Sequence, residues 1–220
     1  MCFSVSASFI ASSLLTVIGT VTLFSIRSKR YYLFACMPLF FGIQQFCEGC
    51  VWLGLLRAWQ GQTIDWFGYG FLFFAYGVWP FWVPLSLYYL EPTLYKKKIL
   101  FFFACAGSVL ALISASGVFL YGIKPAILDN HIVYNTSNYG TIINYVSSVT
   151  YLVVTIGSFF LVTGYLFNFF GLLLLASCAA SYYFWQTAFA STWCFFAAML
   201  SVCMYALVAL DYPRNKDSVE

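Results

Sequence analysis

Charge is what this sequence has least of. Asp, Glu, Lys and Arg make up only 8% of its 220 residues, against about 25% in an ordinary soluble domain. Apolar side chains reach 63% and aromatic ones 22%. A water-soluble fold of this length has no way to hide so much apolar surface, so lipid must solvate its exterior and leave no room for a sizeable extramembrane module. Histidine occurs once, as His131, which disfavours a multi-histidine zinc hydrolase and a haem-ligating pair. The last apolar segment has no lysine to form a retinal Schiff base. Phosphate-binding loops and nucleophile elbows are missing, and charge is too sparse for a voltage sensor. A net charge of +3 implies no nucleic-acid partner. No cofactor motif, metal-ligand set, internal repeat or pair of inverted halves is evident.

What is present is a series of long apolar runs. About 20 such residues cross a bilayer as a helix, and seven segments meet that length, near 7–26, 31–56, 67–90, 99–122, 141–163, 165–189 and 191–210. The expected fold is an all-α membrane protein, a single seven-helix bundle over 1–220. Its last three helices are joined by very short turns at Thr163-Gly164 and Ala190-Ser191.

Orientation follows from where the basic residues fall. Arg27, Lys29 and Arg30, then Lys96, Lys97 and Lys98, then Arg214 and Lys216 lie on one side of this topology, and Arg57 and Lys124 on the other. Cytoplasmic loops carry the Lys/Arg excess, which places the N-terminus outside and the C-terminus inside. Met1 to Ile26 carry no charged side chain, which reads as a retained first helix rather than a cleaved leader. The plasma membrane is the expected location. Trp52, Trp59, Trp66, Trp185 and Trp193 bracket the outer loops as interfacial anchors. In the longest outer loop, apolar β-formers flank Asp129-Asn130, the pattern of a small hairpin over the bundle mouth. Asn135-Thr136-Ser137 forms a glycosylation sequon on that side.

The second helix is where chemistry concentrates. Glu48 is the only charged side chain well inside a span, and an ionised carboxylate in hydrocarbon costs several kcal/mol or more. It must be protonated, paired or facing water or a ligand. Gln44 and Gln45 precede it by four and three residues, within reach on a helix, and Trp52 continues the stripe. No basic residue lies in a span to pair with Glu48; the neutral candidates are Tyr76, Asn144, Tyr145, Asn168 and Gln186. Pro80 and Pro84 in the third helix, and Pro38 in the second, should kink their helices and free carbonyls to line a cavity. Together these residues suggest an intramembrane pocket floored by Glu48, Gln44 and Gln45, which takes a small solute or ion.

Eight cysteines are present, and Cys2, Cys47, Cys50 and Cys194 fall toward the outer side. They form a candidate thiol cluster, although side chains at i and i+3 of one helix hold their Cβ atoms about 5–6 Å apart, too far for an unstrained disulfide.

Two stretches carry a resemblance. Met1-Cys2-Phe3-Ser4, followed by Ala7-Ser8-Phe9, resembles the MCFSxxASF start of an uncharacterised family of small multi-pass membrane proteins. Phe41-Gly42, Gln44-Gln45, Glu48-Gly49 and Trp52 are similar to the FGxQQxxEGxxW stretch in its second helix. The resemblance implies a polytopic membrane protein and no activity. The leading expectation is binding or transport of a small solute or ion; the alternatives are a membrane-embedded enzyme acting on lipids or as a thiol oxidoreductase, and a receptor or structural subunit.

Overall fold

The computed structural model describes residues 4–57, 62–136 and 141–208. Among them are seven helices long and apolar enough to cross a membrane: span 1 Val5–Ser25, span 2 Lys29–Leu56, span 3 Thr63–Leu90, span 4 Leu94–Val118, span 5 Ile143–Leu161, span 6 Tyr165–Phe184 and span 7 Gln186–Val208. Helix is the form such segments must take, because hydrocarbon offers no partner for an unpaired backbone N–H or C=O.

Span 1 begins where the Ser4 hydroxyl accepts the Ala7 N–H at 3.2 Å, an N-cap that meets one of the first turn's free donors. Its buried stripe, Ser8, Ala11, Ser12, Leu15, Gly19 and Thr22, is mostly small residues. They bring span 2 close enough that a Cβ on Gly19 would lie 2.7 Å from Leu39, and one on Gly42 2.9 Å from the Thr16 hydroxyl. Small-residue seams of this kind drive association where the solvent is itself apolar.

Span 2 is interrupted at Cys36. Its main helix starts at Met37 with Pro38 in the first turn, where a missing N–H costs nothing. Pro38 thus opens a helix instead of bending one. Span 3 changes pitch midway: Phe73–Val78 forms π-type turns between the α-helical pieces Gln62–Leu72 and Trp79–Leu90.

The expected boundary between the last two spans is corrected. The break falls at Trp185, after the helix Tyr165–Phe184 and before a short 3₁₀ turn, Gln186–Ala188. Ser191 is therefore not a turn residue but sits in the first turn of the helix Phe189–Ser201, with its side chain in the bundle.

Strands β1 (Ile123–Leu128) and β2 (His131–Thr136) pair antiparallel between spans 4 and 5. Asp129 and Asn130 both take positive φ, 48° and 60°, as a two-residue type I′ hairpin requires. Pairing sets Ile123, Pro125, Ile132 and Tyr134 on one face. That face packs on Gly68 of span 3, where an added Cβ would lie 2.5 Å from Ile123. Ile132 is fully buried against Val51 and Trp52, and Tyr134 stacks on Phe71 at 4.8 Å. The hairpin covers that end of spans 2, 3 and 7. Trp59, Ser137 of the sequon, Arg214 and Lys216 lie outside the described residues.

Candidate functional site

Glu48 lies on span 2 beneath the hairpin and is 2% exposed. Its Oε1 accepts a short hydrogen bond from the Ser191 hydroxyl of span 7, and its Oε2 accepts from Gln45 Nε2 at 3.2 Å. Both partners are neutral. No Lys, Arg or His occurs in 31–56 or in 186–208. The other half of the Gln45 amide, Oε1, is buried with no hydrogen-bond partner. Among the described residues, this acid has two hydrogen bonds and no balancing charge.

The two glutamines divide their work. Successive residues lie about 100° apart around a helix, so Gln44 and Gln45 flank Glu48 on opposite sides, both within reach, but only one of them bonds it. Gln45 does. Gln44, fully buried, turns to span 3, where its Oε1 accepts from Trp79 Nε1 at 2.8 Å and its Nε2 reaches the Phe71 carbonyl at 3.5 Å. Trp79 in turn stacks on Phe41 at 3.9 Å. Gln44 thus ties span 2 to the point where span 3 changes pitch.

The candidate partners for Glu48 need correction. Tyr145 is 71% exposed and Asn168 is also exposed. Asn144, Gln186 and Tyr76 line a separate cavity. Ser191 takes the role instead, and was concealed because Ala190-Ser191 reads as a turn. Tyr134 was missed too: its ring is partly exposed, but its hydroxyl is buried and unpartnered. Burial first, then the nearby Glu48 carboxylate, hold the Tyr134 phenol well above the usual tyrosine range, so it stays an O–H donor.

Pro80 and Pro84 act on the backbone as expected, with a different result. The Trp79 N–H bonds the Phe74 carbonyl, five residues back, and Pro80 has no N–H. The Ala75 carbonyl loses both of those donors, and the Tyr151 hydroxyl of span 5 takes their place at 2.7 Å. Pro84 likewise cannot serve the Pro80 carbonyl. That oxygen packs against Gly107 of span 4, so closely that a Cβ there would lie 1.8 Å away. The freed carbonyls hold spans 4 and 5 against span 3.

Trp52 is 5% exposed and packs under the hairpin. Cys47, Cys50 and Cys194 are free thiols. Cys47 and Cys194 belong to one apolar cluster with Phe71 and Tyr134, while Cys2 lies outside the described residues. Among the described residues no group of three or more His, Cys, Asp and Glu is arranged to hold a metal ion.

A cavity of about 630 Å³ opens among spans 3 to 7. Glu48, Gln44 and Gln45 do not line it. Ala190 and Cys194, which flank Ser191, do, so the carboxylate stands behind the wall that span 7 forms.

Seven helices among the described residues that are long and apolar enough to cross a membrane define a polytopic membrane protein. The chain belongs to a family of unknown function (DUF6629), whose model matches residues 1–218. Searches of the curated proteins and of the solved structures find no match to it.

Proposed function

We propose that this is a small polytopic membrane protein in which Glu48 holds an exchangeable proton or monovalent cation, and that this exchange accompanies the binding or movement of a small solute or ion. The observation that carries the reading is the neutrality of the Glu48 site: a carboxyl 2% exposed, bonded among the described residues by Ser191 and Gln45 alone. A buried charge without a partner is too costly to persist, so a mobile positive charge must accompany the ionised form. The unpartnered Gln45 Oε1 and Tyr134 hydroxyl add neutral oxygens close to the carboxylate. Ionisable residues within membrane spans are rare and mark ion pathways and proton relays, which supports the same reading.

In the orientation that the basic loops favour, the hairpin end faces outward, the C-terminus is cytoplasmic and the host is the plasma membrane. Glu48 then exchanges with the outer side as the hairpin and span 7 move.

The test is proton flux in proteoliposomes. An imposed pH gradient, followed with an entrapped pH-sensitive dye and with sodium present or absent, should collapse faster with the wild type than in empty liposomes. Glu48→Gln should return the rate to the empty-liposome level while its elution profile in detergent stays monodisperse. A wild-type rate that survives Glu48→Gln would sink the proposal.

A further inference from the structure

Both partners of Glu48 are groups that can serve an acid in either of its charge states. A hydroxyl such as that of Ser191 donates or accepts, and a primary amide such as that of Gln45 carries a donor at one end and an acceptor at the other. A lysine or a backbone N–H in either place could only donate, and would fit the ionised form alone.

Gln45 is fully buried. Its Nε2 donates to Glu48 Oε2 at 3.2 Å, while its Oε1 has no hydrogen-bond partner. Buried polar atoms are almost always paired, so the idle oxygen calls for an explanation. The two ends of an amide have nearly the same size, and the torsion that carries them is broad and roughly two-fold. A half-turn therefore puts Oε1 where Nε2 now lies and leaves the shape of the side chain unchanged. In either orientation one end of the amide meets the carboxyl and the other is unmet. The charge state of Glu48 then decides which end it meets: Nε2 for a carboxylate, Oε1 for a carboxylic acid that must donate its O–H.

Resting on the reading that Glu48 exchanges a positive charge, we propose that this charge is a proton, and that Gln45 is the positioning residue whose amide turns over to accept the O–H of the protonated acid. The proton comes from water at the hairpin end, bonds to Glu48 Oε2 and returns to water when it leaves; no other bond forms or breaks. A metal cation takes several oxygen ligands at once. A proton needs only the carboxyl and one acceptor, and the idle Oε1 of Gln45 is that acceptor.

The groups around Glu48 leave it to titrate alone. Span 1, packed on span 2, has no titratable side chain in Val5–Ser25. Span 7 brings Cys194 to the carboxylate and the hairpin brings Tyr134. Cys47 of span 2 and Tyr76 of span 3 act on Tyr134 in turn. All four are thiols or phenols, which carry no charge below about pH 8.

The test is infrared difference spectroscopy across a pH titration, on the full-length protein in liposomes with glutamine isotope-labelled at its side-chain carbonyl. On acidification a protonated-carboxyl band should appear that Glu48→Gln lacks, and a labelled amide band should shift with the same midpoint. Gln45→Leu should remove that amide shift and move the carboxyl band to higher frequency, because the O–H has lost its acceptor. It should also slow the Glu48-dependent proton flux about tenfold, the equivalent of about 1.4 kcal/mol. If Gln45→Leu does not fold, the amide shift in the wild type and its absence from Glu48→Gln carry the test. A carboxyl band that titrates while the labelled amide stays still would overturn the role of Gln45. A Glu48-dependent flux of sodium, with no carboxyl band, would overturn the proton and leave exchange at Glu48 standing. Proton flux that survives Glu48→Gln is the separate failure of that exchange.

Discussion

Glu48 and Glu91 are both buried carboxyls, 2% and 1% exposed, yet they are built in opposite ways. Glu91 follows span 3 at the end of the bundle away from the hairpin. Its Oε1 accepts the Thr93 N–H at 2.9 Å and the Thr163 hydroxyl at 3.0 Å, and its Oε2 accepts the Thr163 N–H at 2.6 Å. Lys96 donates to that same Thr163 hydroxyl at 3.0 Å, which brings a cation to the rim of the network. Glu48 has two neutral side-chain donors and an unpartnered amide oxygen beside it. Burial would raise the pKa of Glu91, but the N–H groups of Thr163 and Thr93, with their hydroxyls, outweigh it and hold the carboxyl below its ordinary 4.5. One acid is surrounded so that it stays ionised and clamps the loop between spans 5 and 6. The other has neutral side-chain donors alone around it, and it is there that we propose a change of charge state.

The largest test of that contrast is Glu91→Ala. It removes the acceptor of the Thr93 N–H and of both the N–H and the hydroxyl of Thr163; hydrogen bonds to a charged group contribute roughly 1.5–3 kcal/mol each, and water recovers part of that because Thr93 and Thr163 are exposed. Thermal unfolding in detergent, followed by tryptophan fluorescence, should show a loss of about 3 kcal/mol, with faster hydrogen exchange at the Thr163 amide. Unchanged exchange at Thr163 would mean that the clamp does not hold that loop.

Next in size is the pH dependence. Because the folded pKa of Glu91 lies below its unfolded value, the unfolded chain binds the proton more tightly, and stability rises with pH. The contribution should be whole above about pH 4.5 and fade as pH falls through the lower folded value. Comparing unfolding curves of wild type and Glu91→Gln across that window isolates it: the acid-side slope should be shallower in the variant. Equal slopes would place the acid sensitivity elsewhere.

The two acids also differ in how far the sequence revealed them. Glu48 stood out because an isolated charge in an apolar run has a cost that can be read without a structure. The seven spans and the Asp129-Asn130 hairpin were legible for similar reasons, since lipid demands helices of fixed length and a type I′ turn demands residues that tolerate positive φ. The tie between Glu91 and Thr163 joins residues 72 positions apart, and no local pattern encodes it. Ser191 was concealed by a misplaced boundary: Trp185 and Gln186 look like the continuing end of one helix, while Ala190-Ser191 looks like a turn. The periodicity that put both glutamines near Glu48 was sound as geometry, but it could not say that Trp79 would claim Gln44. The choice among partners depends on neighbouring helices, which hydropathy leaves unordered.

The smallest expected effect is the sharpest test of the comparison. Glu48→Gln replaces a carboxyl by a neutral amide of the same shape, which still accepts from Ser191 through its oxygen. If Glu48 rests neutral, this should alter stability by less than about 1 kcal/mol. The matching Glu91→Gln removes a charge from three donors and should cost about 2 kcal/mol, since hydrogen bonds to charged groups contribute roughly 1.5–3 kcal/mol each and the amide keeps only part of them. Ser191→Ala should fall between the two, at about 1 kcal/mol, because it leaves the carboxyl with Gln45 alone. The three variants are compared by denaturation in one detergent at neutral pH. Should Glu48→Gln cost as much as Glu91→Gln, Glu48 would be an ionised structural acid like Glu91, and proton or cation exchange at span 2 would lose its physical basis.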